Sequence, residues 1–128
     1  MTRINCVPPS ELTNKHLVAE YRELPRIFAL ARHCNDAPKE YCLGTGHMKF
    51  FYDKLWYLVK RQYAIVLEML GRGMHPTYDP LSLWKFYPGN GGSIPIELWN
   101  DWAPDDKALA INRARINDRL NGIKYSKV

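Results

Sequence analysis

The chain has 128 residues, of which 46% are apolar, and this suits one domain (residues 1–128) with one hydrophobic core. Its formal charge is +5, and the basic excess lies outside residues 74–104. That segment contains one basic residue, Lys85, and three acidic residues, Asp79, Glu97 and Asp101. This distribution indicates a polyanionic partner such as nucleic acid, whereas the absence of long apolar runs argues against a membrane span or a signal peptide and predicts an intracellular, cytoplasmic protein.

The first predicted helix follows an extended lead-in, residues 4–12, and has Thr13 or Asn14 as its N-cap. Its apolar residues recur at spacings of four and three, which predicts one buried seam. The seam consists of Leu17, Tyr21, Leu24, Phe28 and Ala31. The opposite face carries His16, Glu20, Glu23 and Arg26, with Arg22 on its flank.

A proline and a charged cluster meet in the second half of this helix. Pro25 lies in the helix interior and predicts a kink just beyond Glu23. Glu23 lies beside Arg22 and one turn from Arg26, so its carboxylate is a candidate reaction centre. A solvated Glu23–Arg26 ion pair explains the same pattern equally simply.

The middle of the chain contains a glycine-rich turn and a second helix. Gly44-Thr45-Gly46, directly before His47, can present backbone N–H groups to a phosphate or can form an ordinary tight turn. We expect helix two from about residue 54 to 70, with Asp53 as its N-cap and Lys60 and Arg61 facing outward. Gly71-Arg72-Gly73 is its predicted stop.

Residues 74–103 are rich in proline and aromatic residues and predict an irregular segment that is pinned to the body by its aromatic rings, or that offers them to nucleic-acid bases. Helix three opens at Pro104-Asp105-Asp106. Arg115 and Arg119 are four residues apart on it, which suits one phosphodiester track or a solvated face.

The cysteines give little support to a metal or disulfide. The chain has three, an odd number without a C-x-x-C pair, so a disulfide framework is not predicted. Cys34, Cys42 and His47 fit no standard zinc spacing. We therefore expect no metal and no cofactor.

A reactive amine is predicted at the start of the chain. Thr2 is small enough that the initiator methionine is normally cleaved, which frees the α-amino group of Thr2. The pKa of such a group is ~7.7–8.0, against ~10.4 for lysine, so it is a ready nucleophile near neutral pH. Arg3, Arg22 and Arg26 would disfavour its ammonium form if the fold brings them close, and Glu23 could stabilise an iminium cation or relay a proton.

Several segments together resemble the pyrimidine dimer DNA glycosylases, the endonuclease V type first known from phage. The resemblance is nearly continuous over residues 1–73, looser over 74–104, and returns at Ala114-Arg115. The segments are Thr2-Arg3-Ile4-Asn5, His16-Leu17, Ala19-Glu20-Tyr21-Arg22-Glu23-Leu24-Pro25-Arg26, and Gly46-His47 with Phe50-Phe51-Tyr52-Asp53-Lys54-Leu55.

This resemblance implies a compact all-α domain of three main helices with long irregular connections, its amino-terminal segment threaded between the helices. It implies a monomer that binds damaged double-stranded DNA, removes the 5′ base of a pyrimidine dimer and cleaves the strand at the abasic sugar. Thr2 would supply the nucleophile and Glu23 the acid and base. The residues implied to bind DNA or support the site are Arg3, His16, Tyr21, Arg22, Arg26, His47, Arg115 and Arg119.

The carboxyl-terminal residues depart from the pattern. The related enzymes end in an aromatic and basic tail, whereas this chain ends in Ile123-Lys124-Tyr125-Ser126-Lys127-Val128. The alternatives are therefore a related glycosylase and lyase for other base lesions or bare abasic sites, and a non-catalytic basic DNA-binding module. A metal-dependent nuclease is the remotest alternative.

Overall fold

A computed structural model of the protein describes residues 4–31, 37–42, 47–77 and 79–120, with backbone alone at 119 and 120. It contains three long helices, α1 (Asn14–Ala31), α3 (Leu55–Gly71) and α4 (Asp106–Leu120), and the short α2 (His47–Phe50). Within these ranges there is no strand, only an isolated bridge between Lys54 and Trp99. The predicted all-α fold is confirmed. None of the described helices is long and apolar enough to cross a membrane.

The helix ends follow local side-chain chemistry. Thr13 caps α1, since its Oγ1 accepts the backbone N–H of His16 at 3.2 Å. Asp105 caps α4 in the same way, through the N–H of Ala108 at 2.8 Å. At the end of α3, Gly73 adopts the left-handed φ of 83° that favours glycine and stops the helix as predicted.

The prediction for the start of α3 is wrong. Asp53 does not cap this helix, which begins at Leu55 after Lys54 and has no side-chain cap. The Asp53 carboxylate instead accepts from the ammonium group of Lys54 at 2.9 Å. The ammonium group of Lys54 therefore bonds to the carboxylate that would have accepted a backbone N–H group if Asp53 had been the cap.

The core lies between α1 and α3. The apolar seam of α1 is buried, and so is that of α3, at Leu55, Leu58 and Ile65. Helix α1 continues through Pro25, which lies in its interior. The kink expected there stays a prediction.

The irregular segment closes over this core through its aromatic rings. It forms three short 3-10 turns, Pro80–Phe86, Pro88–Asn90 and Ile96–Leu98. Phe28 of α1 meets Phe86 and Trp99, with ring centroids 5.8 and 5.7 Å apart. This confirms that aromatic packing pins the segment to the body. The lead-in before α1 also differs from a fully extended strand, because Pro9–Glu11 forms a 3-10 turn.

Candidate functional site

The segment before α1 runs through the interior of the molecule. Residues 4–7, which we call the arm, are all buried. Asn5 donates to the Glu20 carboxylate at 2.9 Å, and its own side-chain oxygen accepts from Asn112 at 2.8 Å. The arm is therefore held on one side by α1 and on another by α4, as the threaded fold implies.

The side chain of Asn112 accepts hydrogen bonds from the backbone of the arm. Its Oδ1 accepts the N–H of Cys6 at 2.7 Å and the N–H of Val7 at 3.1 Å. The backbone oxygen of Val7 in turn accepts from the guanidinium of Arg61 on α3. Burying these backbone groups is tolerated because each has a partner.

A buried ion pair connects α1 to α3 beneath the arm. Arg61 meets Glu20 through two hydrogen bonds, Nε to Oε2 at 2.8 Å and Nη2 to Oε1 at 3.1 Å. The two side chains are only 5% and 0% exposed. Burial opposes the charge on Arg61, but the charge of Glu20 and its hydrogen bonds prevail, and the pKa of Arg61 is raised. The prediction that Arg61 faces outward is wrong, and so is the placement of Glu20 on the solvated face.

The spacing of these residues carried a signal that sequence reasoning missed. Glu20 lies three residues after Leu17 and four before Leu24, and Arg61 has the same relation to Leu58 and Ile65. Such positions belong to the buried seam. Asn112, four residues after Ala108 and four before Ile116, follows the same rule.

His47 lies in the interior rather than at the DNA-facing surface that we expected for it. Its side chain is buried, and its Nε2 accepts the backbone N–H of Ile4 at 2.9 Å. Its Nδ1 lies 2.7 Å from the backbone oxygen of Cys42. The bond to Ile4 makes the ring an anchor for the arm. Because the ring is buried, it presents no exposed surface to a phosphate.

The charged cluster of α1 lies at the surface. Glu23 and Arg26 form an ion pair of 3.3 Å, in which the Glu23 side chain is 27% exposed and that of Arg26 72% exposed. Arg22 is exposed, whereas His16 is half-buried and lies 2.8 Å from the Thr13 hydroxyl through its Nδ1. These four residues share one helix within eleven positions, as the sequence predicts.

The remaining predicted residues are placed differently or fall outside the described ranges. Tyr21 is buried in the core on the inner face of α1, where it can support the helix that carries Glu23. Arg115 is half-buried on α4. Thr2, Arg3, Cys34 and the Gly44-Thr45-Gly46 turn lie outside the described residues, as does the side chain of Arg119.

The arm's cysteine is not reactive. Burial raises the pKa of the Cys6 thiol to about 11, so the thiol stays protonated at neutral pH. In the part of the chain that the structure describes, no group of three His, Cys, Asp or Glu side chains is arranged to hold a metal ion. Among the described residues of α1, the surface groups that can act on a substrate are the Glu23 carboxylate and the guanidinium groups of Arg22 and Arg26.

A buried arm bonded to Glu20 of α1, a helix whose surface carries Arg22, Glu23 and Arg26, is an all-α arrangement suited to a polyanionic substrate. Residues 1–80 match the family model described as pyrimidine dimer DNA glycosylase. The chain belongs to this family. It is thus a DNA repair glycosylase, and its substrate is damaged DNA.

Proposed function

We propose that the protein is a bifunctional pyrimidine dimer glycosylase and abasic-site lyase whose nucleophile is the α-amino group of Thr2, exposed when Met1 is removed. The amine attacks C1′ of the damaged nucleotide, the glycosidic bond breaks, and opening of the sugar ring gives an imine. Loss of a proton from C2′ then expels the 3′ phosphate, and hydrolysis of the imine releases the protein. Glu23 acts as the acid and base in these steps.

The observation that carries this proposal is the register of the arm along α1. Arg72 at the end of α3 donates to the backbone oxygen of Pro9 and to the side chain of Asn14, so Pro9 lies level with the start of α1. Four residues earlier, Asn5 lies level with Glu20. From Pro9 to Asn5, therefore, the chain advances toward the carboxyl end of α1.

Continuing this course supports a meeting of Thr2 with Glu23. Three residues of chain span at most ~10 Å, and three helical residues rise ~4.5 Å. Thr2 is three residues before Asn5, and Glu23 is three residues after Glu20. The reach of the chain is thus sufficient to bring the amine to the Glu23 carboxylate.

The surroundings of the two glutamates favour Glu23 as the catalytic one. The Glu20 carboxylate is wholly buried and already accepts three hydrogen bonds, from Asn5 and from two nitrogens of Arg61. It has no access to DNA. Glu23 is accessible, and its carboxylate accepts hydrogen bonds from the exposed guanidinium of Arg26. A carboxylate in this state can exchange protons with a bound substrate.

The binding roles follow from exposure and charge. Arg22 and Arg26 are exposed beside Glu23 and would bind phosphates on either side of the lesion. For Arg3, Arg115 and Arg119 the same role rests on the family resemblance and on their charge, and we assign His16 a supporting role in the site.

Trapping with borohydride tests the proposal. Protein whose amino terminus is verified by mass spectrometry is incubated with dimer-containing duplex and borohydride, which reduces an imine to a stable amine. We expect a covalent protein–DNA adduct at the peptide that begins with Thr2. Protein that lacks Met1 and yields no adduct on this duplex or on abasic DNA would refute the mechanism.

Glu23→Gln tests the role of the carboxylate. We expect the variant to bind the damaged duplex with wild-type affinity and to incise it at least ~100-fold more slowly, because general acid–base catalysis is worth 10²–10⁴-fold. Glu97→Gln, a change of the same kind at an exposed residue of the irregular segment, is the control and should be fully active. Wild-type incision by Glu23→Gln would remove Glu23 from the mechanism.

A further inference from the structure

The hydrogen bonds of His47 define one neutral tautomer of its ring. A backbone oxygen can only accept, so the Nδ1 that lies 2.7 Å from the Cys42 oxygen carries the proton. The other nitrogen, Nε2, is then the acceptor that the Ile4 N–H requires at 2.9 Å. One side chain thus connects the loop before α2 to the first described residue of the arm.

The bonded N–H belongs to the peptide group that joins Arg3 to Ile4. This group is planar, so fixing its N–H limits the direction in which the chain continues toward residue 3. Asn5 is fixed next to it by Glu20 and Asn112. His47 therefore holds the last peptide group before the two residues that carry the proposed nucleophile.

The ring of His47 is itself held in place by aromatic neighbours. Tyr41 and Phe51 meet it nearly edge-on, with centroids 5.5 and 5.6 Å away and interplanar angles of 77° and 79°. The side chain is 1% exposed. A buried ring with packed neighbours and both nitrogens in use has little freedom to move, which makes it a rigid support.

We propose that His47 is a positioning residue for the reaction, which sets the direction of the amino terminus through the Ile4 N–H. This inference rests on the proposed function, in which the Thr2 amine reacts. Displacing a reacting group by about 1 Å can cost 10²-fold in rate, so losing this support slows imine formation. Because the ring itself does not reach the surface, DNA affinity should change less than the rate, and only through the phosphate contact assigned to Arg3.

Two substitutions separate the bonds that His47 makes. The amide of His47→Gln reaches the position of Nε2 and can still accept from Ile4, whereas the shorter amide of His47→Asn can serve only the Cys42 side. Leu83→Ala is the control for loss of stability, because Leu83 is buried in the core on the Pro80–Phe86 turn and is not among the aromatic neighbours that hold the His47 ring.

The measurement is the single-turnover rate of borohydride trapping on a duplex with one abasic site, together with the Kd for a duplex with an uncleavable abasic analogue. We expect His47→Asn to trap about 10–100-fold more slowly, with a change in Kd no larger than the loss of the one phosphate contact assigned to Arg3. His47→Gln should recover most of the rate, and Leu83→Ala should keep it despite a lower Tm. Equal rates for His47→Asn and the wild type would overturn the proposal, as would an equal loss in Leu83→Ala.

Amide hydrogen exchange of the amino-terminal peptide gives a readout that does not depend on activity. His47→Asn should exchange faster than His47→Gln at residues 4–7, and unchanged exchange would overturn the anchoring role. If the processed wild-type protein forms no adduct, the proposed function fails by that result alone. The exchange experiment then still decides whether His47 holds the arm.

Discussion

Two glutamates one turn apart on α1 have different environments, and this difference favours Glu23 over Glu20 as the proposed catalytic carboxylate. Glu20 is saturated with hydrogen bonds in the interior, and Glu23 is open to solvent beside Arg26. A buried ion pair contributes little net stability, because desolvation offsets the attraction of its charges. The Glu20–Arg61 pair therefore matters chiefly for where it places Asn5 and Val7.

Breaking this pair from one side should be costly. Arg61→Met leaves the Glu20 carboxylate buried without its guanidinium and removes the partner of the Val7 oxygen. We expect the free energy of unfolding to fall by ~3–5 kcal/mol, measured by urea denaturation. Lys60→Met is the matched control, since the neighbouring Lys60–Asp101 pair is exposed and is worth less than ~1 kcal/mol. Similar losses in both variants would contradict the structural role of Arg61.

At the scale of elements, α4 is joined to the amino terminus mainly through Asn112. Its side chain accepts two backbone N–H groups of the arm and donates to Asn5. At the surface, Arg113 meets Glu11 in a pair of 2.8 Å, which lowers the pKa of Glu11. Because that pair is exposed, the buried amide is the stronger connection between α4 and the segment before α1.

Removing the amide should release the arm. Asn112→Ala leaves the N–H groups of Cys6 and Val7 without their acceptor, at ~1–3 kcal/mol for each group that stays dry. We expect a loss of ~2–4 kcal/mol in unfolding free energy and faster amide exchange at residues 4–7. Asn117→Ala, the same change at an exposed position of α4, should alter neither property. Wild-type exchange in Asn112→Ala would show that the arm is held by other contacts.

The elements themselves were largely predictable, but their polar contacts were not. Helical periodicity predicted α1, α3 and α4 to within a few residues, and capping residues marked the starts of α1 and α4, because both signals are local. Glu20 and Arg61 were assigned to the surface from their charge, although their spacing placed them on buried seams. Their partners lie 15 to 54 residues away in sequence, and no local pattern shows such a pairing.

At the scale of the whole molecule, the count of 18 lysine and arginine residues overstates the cations available to DNA. Arg61 is buried in its ion pair with Glu20. Arg72 is bonded to Glu68, Asn14 and the backbone of Pro9. The guanidinium group of Arg22 is exposed, and that of Arg26 is 72% exposed although it pairs with Glu23. In the proposed function, these positions rather than the overall charge define the surface that binds phosphate.

The salt dependence of DNA binding shows whether affinity depends on phosphate contacts at particular arginine residues or on the total charge of the protein. Each phosphate contact releases counterions and contributes about 0.9 to the slope of log K against log salt concentration. Arg22→Ala should therefore weaken binding to damaged and undamaged duplex alike and reduce the slope by about 0.9, as measured by fluorescence anisotropy over a salt series. Arg113→Ala changes the net charge equally but removes a side chain already paired with Glu11, so its slope should match the wild type. Equal reductions in both variants would show that affinity follows total charge, and the assignment of Arg22 to a phosphate contact would then be wrong.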